Sequence, residues 1–143
     1  MGRGSLITVL DTHCWLWFLA ADRKLGPQAK ASIEEAAQRN EAVLAAISLW
    51  EISMLVARGR LSLPRDPREW LDFHLSLPGF SVHPLSVAVA VASNFLPPGA
   101  HGDPADRLII ATTRHLDATL VTADRKILVY AEAGHVKVQD ATG

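Results

Sequence analysis

Short apolar runs rich in β-branched residues alternate along this chain with longer helical stretches, and that alternation restricts the fold more than any other feature. Leu6 to Leu10 (LITVL), Ala42 to Ile47 (AVLAAI), Phe80 to His83, Thr119 to Val121 and Val136 to Val138 read as strands. Between them, His13 to Ala21, Pro27 to Arg39, Leu49 to Arg58, the stretch from Asp66-Pro67 to Leu77, Ser86 to Phe95, Pro104 to His115 and Ala123 to Tyr130 read as helices. Gly26-Pro27, Asp66-Pro67 and Asp103-Pro104 each place proline in a first turn, where its missing N–H leaves no helical bond unmade. Strands that are apolar without alternation belong to parallel sheets covered on both faces. The expected fold class is α/β, a three-layer α/β/α arrangement with a mostly parallel central sheet, forming one domain over residues 6–140. Met1 to Ser5 (MGRGS) read as leader or vector residues and stand outside that argument.

A parallel α/β sheet gathers its chemistry at the carboxyl ends of the strands, where the following helices begin. Four acidic residues fall there: Asp11 after the first strand, Glu51 early in the helix after the second, Asp106 at the start of the Pro104 helix, and Asp124 after Thr119 to Val121. Each has a local explanation as well. Ser48-Leu49-Trp50-Glu51 matches a capping box, Asp103-Pro104-Ala105-Asp106 orders an N-cap, a proline and an acid, and Asp124 sits in a first turn that favours negative charge. Capping, however, does not require all of these acids to converge on one sheet edge. Two unpaired carboxylates ~4 Å apart repel by roughly 4 kcal/mol at an effective dielectric of ~20, so such a cluster calls for bound cations or raised pKa values. Oxygen donors suit a hard divalent ion, Mg²⁺ or Mn²⁺, with water completing its shell. The six histidines are scattered and there is one cysteine, so zinc spacing is absent. A carboxylate-held Mg²⁺ suits phosphodiester hydrolysis and needs no side-chain nucleophile.

In this order and at these positions the motifs resemble those of PIN-domain ribonucleases, and more narrowly the VapC-type toxins of bacterial toxin–antitoxin pairs. The resemblance runs from about Leu6 to Val138, through Leu10-Asp11-Thr12-His13, Ile47-Ser48-Leu49-Trp50-Glu51-Ile52, His101 to Ala111 (HGDPADRLIIA) and Leu120 to Ile127 (LVTADRKI). It implies a Mg²⁺- or Mn²⁺-dependent endoribonuclease whose catalytic and metal-holding acids are Asp11, Glu51, Asp106 and Asp124. Asp103 matches the same Asp-Pro-x-Asp segment, as a helix cap or as a supporting or direct metal contact. Thr122 matches the hydroxyl beside the last acid, and His13 a position of the subgroup. The resemblance also implies an RNA substrate, a small cognate antitoxin whose Arg or Lys reaches the carboxylates, and a homodimer.

Composition bears on the partners. Fourteen Lys and Arg against 15 Asp and Glu give a net charge of −1, which excludes a generally basic nucleic-acid coat but not a local basic strip. Arg58, Arg60, Arg65 and Arg68 cluster after the Glu51 helix, while Arg107, Arg125 and Lys126 flank the acids; these are the phosphate-binding candidates. Trp15, Trp17, Phe18 and Leu19 make the first helix apolar nearly all round, and some of that surface is expected to meet another chain, the alternative being a fully buried helix in a monomer. A chain of 143 residues that is 49% hydrophobic buries a sufficient core without disulfides, and Cys14 reads as a small buried hydrophobe in a reducing cytoplasm. No apolar run approaches the ~20 residues of a membrane-spanning helix. The alternative to a nuclease is a catalytically silent PIN-like module that binds RNA or protein. A phosphoacceptor receiver lacks its central Asp and its Lys here, and a haloacid-type phosphatase needs Asp-x-Asp where this chain has Asp11-Thr12-His13.

Overall fold

A computed structural model describes residues 6–143, so the leader reading of Met1 to Ser5 falls outside the described residues. The strands are β1 (Thr8–Leu10), β2 (Ala42–Ala45), β3 (Phe80–His83), β4 (Thr119–Thr122) and β5 (Lys137–Asp140). The helices are α1 (Thr12–Ala20), α2 (Pro27–Gln38), α3 (Ala46–Ala57), α4 (Pro67–Ser76), α5 (Val87–Ser93), α6 (Pro104–His115) and α7 (Arg125–Ala131). The sheet has the order β3-β2-β1-β4-β5 and every neighbouring pair is parallel, Val9 facing Val43 on one side and Leu120 on the other.

Side chains of a strand alternate between the sheet's two faces, and here each face has its own helical cover. Leu10, Ala42, Leu44 and Val121 pack with Ala29 and Ile33 of α2, Trp15 of α1 and Trp70 of α4. Val9, Val43, Ala45 and Leu120 pack with Ile109 and Ile110 of α6 and with Ile127 and Tyr130 of α7. With both faces covered by helices, the layers are α/β/α as expected, and the sheet is wholly rather than mostly parallel. The chain builds outward from β1 to β2 and β3, then returns to place β4 on the other side of β1. The crevice above β1 and β4 is thus the point where strand order reverses, the usual binding place in open α/β sheets.

Several boundaries differ from the sequence reading by one to three residues, two of them with structural consequence. β2 ends at Ala45 and α3 begins at Ala46, which puts Ser48 inside the helix, fully buried, instead of at its cap. The capping-box reading of Ser48 and Glu51 is therefore corrected: the N-cap is Ala45, with no side-chain cap bond. The last strand spans Lys137–Asp140 rather than Val136–Val138, because pairing with β4 continues to Thr122↔Asp140.

The apolar surface of α1 is used inside the fold. Trp15 is fully buried, its ring 5.6 Å from Trp70 and 6.2 Å from Phe80, and Trp17, Phe18 and Leu19 pack partly buried against the same core. Trp15 is therefore taken up inside the fold, while Trp17, Phe18 and Leu19 keep part of their surface on the outside. The exposed apolar strip lies elsewhere, on and beside α5, where Val87, Val91 and Phe95 are 82%, 54% and 80% exposed.

Candidate metal centre

Each acid reaches the crevice from a helix start or from a helix that crosses it. Asp11 follows β1 directly and caps α1, one carboxylate oxygen accepting from the N–H of Thr12 at 2.8 Å. Asp103 caps α6 by accepting from the N–H groups of Ala105 and Asp106, which sets Asp106 in the first turn behind Pro104. Asp124 caps α7 through the N–H groups of Lys126 and Ile127. Glu51 lies in the second turn of α3, and α3 packs on α6. These positions surround one cavity of about 390 Å³, lined by Asp11, Glu51, Asp103, Asp106 and Asp124, with Trp17 at its wall and exposed His13 at its mouth.

Hydroxyl groups from distant segments hold two of the acids. Thr122, fully buried at the end of β4, donates to Asp11 Oδ2 at 2.7 Å and accepts from the N–H of Asp124 at 3.0 Å. One hydroxyl thereby ties the first acid to the last. Thr12 Oγ1 lies 2.6 Å from Glu51 Oε1 and 2.8 Å from Ser48 Oγ. A hydroxyl has one proton, so Thr12 donates to the carboxylate and accepts from Ser48. Ser48 and Thr12 thus aim Glu51 from the buried side of α3.

His101 is the group that sequence reasoning missed. Its Nε2 is 2.7 Å from Asp106 Oδ2, and one ligand atom each of His101, Asp106 and Asp124 lie within 4.8 Å of one another. The available signal was position, since His101 closes the Pro97 to Gly102 loop two residues before the Asp103 cap. Counting histidines for zinc spacing could not detect a single nitrogen donor among oxygens.

The electrostatics match this crowding. Asp11, Glu51 and Asp106 all have pKa values raised above the ordinary carboxylate range, in each case first by burial. Neighbouring charge adds to it: Asp124 acts on Asp11; Asp11, Asp106 and Asp103 act on Glu51; and Asp11, Asp103 and Asp124 act on Asp106. Hydrogen bonds from Thr122, Thr12 and His101 offset part of the rise. The donor set fits a hard divalent cation, which would relieve the burial and the repulsion together. Cys14 also lines the cavity, but burial and the Asp11 charge push its thiol up to about 12, so it is a packed thiol and no nucleophile.

The basic candidates divide into three groups. Arg107 donates through Nε to Ser93 O at 2.9 Å and through Nη1 to the carbonyls of Ala100 and His101 at 3.3 and 3.2 Å. Its guanidinium is committed to pinning the His101 loop, which corrects its reading as a free phosphate anchor. Arg125 and Lys126 are exposed at the start of α7, immediately after Asp124. Arg58 and Arg60 are exposed past the far end of α3, Arg58 being seven residues beyond Glu51 and about 10 Å along the helix axis, so the structure does not bring them to the acids. Arg65 and Arg68 lie still farther along the chain, Arg65 over the Phe73 ring and Arg68 paired with Asp72 at 3.0 Å.

With this geometry in place, comparison with known proteins is informative. A family model described as PIN domain matches residues 8–133. "Ribonuclease VapC22" of Mycobacterium tuberculosis (strain ATCC 25618 / H37Rv) is 35% identical over 122 residues, covering 83% of this chain and 88% of that protein. Among solved structures, VapBC2 from Rickettsia felis, bound to a DNA fragment from their promoter, superposes with a TM-score of 0.68 at 19% identity, covering 93% of this chain and 97% of the other. FitAcB from Neisseria gonorrhoeae gives 0.61 at 22% identity over 94% and 98%. At those identities the two structures are similar in fold.

Proposed function

From the premise that the chain belongs to the PIN-domain family, we propose that it is a metal-dependent endoribonuclease toxin, one domain over residues 6–140 acting in the cytoplasm. The observation that carries this reading is the convergence of Asp11, Glu51, Asp103, Asp106 and Asp124 on one cavity at the strand-order reversal. The 35% identical relative, itself named a ribonuclease, supports RNA as the substrate.

Asp11, Asp106, Asp124 and Glu51 would hold Mg²⁺ or Mn²⁺, with Asp103 fixing Asp106 from the helix cap. A divalent ion bound there supplies charge neutralisation at a phosphodiester and a water of lowered pKa. The remaining work belongs to the chain. Thr122 keeps Asp11 turned to the cavity, Thr12 does the same for Glu51, and His101 orients Asp106. Such supporting contacts are worth about 10–100-fold in metal affinity or activity when removed.

The deciding experiment is cleavage of a mixed RNA pool by antitoxin-free protein in Mg²⁺, Mn²⁺ or EDTA. Cutting in either metal that stops in EDTA is expected. An inert protein that still binds RNA or a partner would instead favour the silent binding module.

The small antitoxin and the homodimer follow from the sequence resemblance, and the structure offers a face for the second. Val87, Val91 and Phe95 recur at four-residue intervals along α5 and its C-terminal turn, and Leu85 beside them is 53% exposed. Exposed apolar side chains grouped in this way mark contact surfaces. Sedimentation of the wild type is expected to show a dimer and of Val91→Glu/Phe95→Glu a monomer with an unchanged melting temperature; a monomeric wild type would remove the dimer.

A further inference from the structure

Next to the acidic cavity lies a second hollow, of about 470 Å³, and His101 lines it while hydrogen-bonding to Asp106 of the first. Its size is that of an ordinary small-ligand pocket. Two kinds of side chain form it. Pro98, Val129 and Tyr130 make an apolar wall and floor, and Arg125 and Lys126 stand at the rim.

The floor is rigid for a local reason. The Tyr130 hydroxyl donates to Pro97 O at 2.7 Å, locking the ring under the loop, and Gly99 crosses it at φ +106°, where a Cβ would come within 3.5 Å of the ring. Arg107 holds the same loop from behind through the carbonyls of Ala100 and His101. Val129 is 52% exposed, an apolar side chain facing solvent on a helix whose Ile127 and Tyr130 are buried. Arg125 and Lys126 are exposed and neither enters an ion pair among the described residues.

A ligand matching this hollow has a flat, largely apolar body and an anionic group beside it. Free anions are repelled by the adjoining carboxylates, so an anion held here needs the exposed cations Arg125 and Lys126. A nucleotide joined to a phosphodiester lying in the acidic cavity meets each condition at once. We infer that the hollow seats the nucleotide next to the scissile phosphodiester, its base against Val129 and Tyr130 and its outer phosphate on Arg125 and Lys126. This rests on the RNA reading above and adds to it the element that selects a base at one position.

The test uses a single-stranded RNA that the wild type cuts at a mapped bond, remade with an abasic nucleotide at each position flanking that bond. One position adjacent to the cut is expected to raise KM about tenfold with kcat within about twofold, the size of one base contact. Val129→Ser is expected to shrink the abasic penalty in KM, and Arg125→Ala/Lys126→Ala to reduce the salt slope of RNA binding by about 1.4, as two phosphate contacts on a single strand require. Both variants change exposed side chains, and their melting temperatures show that the fold is kept. An abasic penalty that is the same in wild type and Val129→Ser, or a salt slope unchanged in the double variant, overturns the subsite. If the wild type cuts no RNA, the same strands are read by fluorescence anisotropy. A position-specific loss of binding that Val129→Ser removes then supports the subsite although the nuclease reading fails, and binding indifferent to the abasic position overturns both.

Discussion

Asp11→Asn is expected to slow RNA cleavage at least about 100-fold, more than the loss of a supporting contact alone removes. The substitution changes charge and little else. Asparagine caps a helix as well as aspartate does, so α1 keeps its N-cap over Thr12. The amide retains an oxygen for the Thr12 N–H but no longer offers Thr122 a second carboxylate oxygen, and it carries no charge for a cation. Initial rates on one RNA strand, with circular dichroism to show retained fold, measure the effect. Glu35→Gln, on the exposed side of α2, serves as the control and should cleave at the wild-type rate. Cleavage by Asp11→Asn at the wild-type rate would place the chemistry outside this cavity.

A second large effect concerns stability without metal. Burial, and then the charges of Asp11, Asp103 and Asp124, raise the Asp106 pKa above its ordinary 3.8. An acid whose folded pKa exceeds its unfolded one binds its proton more tightly in the folded protein. Its ionisation therefore weakens the fold as pH rises through the window between the two values. In EDTA at pH 7, Asp106→Asn should melt above the wild type, by about 4 °C for each kcal/mol of charge burial and repulsion relieved. The gap should close as pH falls towards the unfolded value, where the wild-type carboxylate is protonated too. Asparagine keeps an oxygen for His101 Nε2, so the hydrogen bond to the loop survives. Mg²⁺ should raise the wild-type melting temperature at pH 7 and that of Asp106→Asn much less, because ligand binding stabilises only in proportion to affinity for the folded state. A variant that melts below the wild type at pH 7 in EDTA would show that the acids are not in electrostatic conflict.

Much of the fold was legible because its signals are local. Prolines at 27, 67 and 104 open α2, α4 and α6 where they stand, and the Asp103 cap is seen as read. The misjudged start of α3 has a physical cause. Alanine at 45 and 46 serves strand and helix alike, so the side-chain pattern does not mark the junction, and the capping-box match at Ser48 supplied a false one. How much of the α1 aromatic surface the fold itself covers was not legible for a related reason. Periodicity reports how much apolar surface a helix carries but not how many elements cover it, and here α4 and β3 lie over Trp15 and Phe18.

By itself the sequence determined the alternating order of strands and helices, the parallel character of the sheet, and the placing of Asp11, Asp106 and Asp124 at helix starts beside strand ends. Only the tertiary structure decided which groups meet. Thr122 reaches Asp11 across 111 residues and Thr12 reaches Glu51 across 39, while His101 joins Asp106 and Arg107 turns back to the loop carbonyls. The reason is the range of the forces read. Caps, prolines and periodicity act over one or two turns of chain, whereas these contacts depend on strand order and register, which are set by the packing of two apolar faces at once.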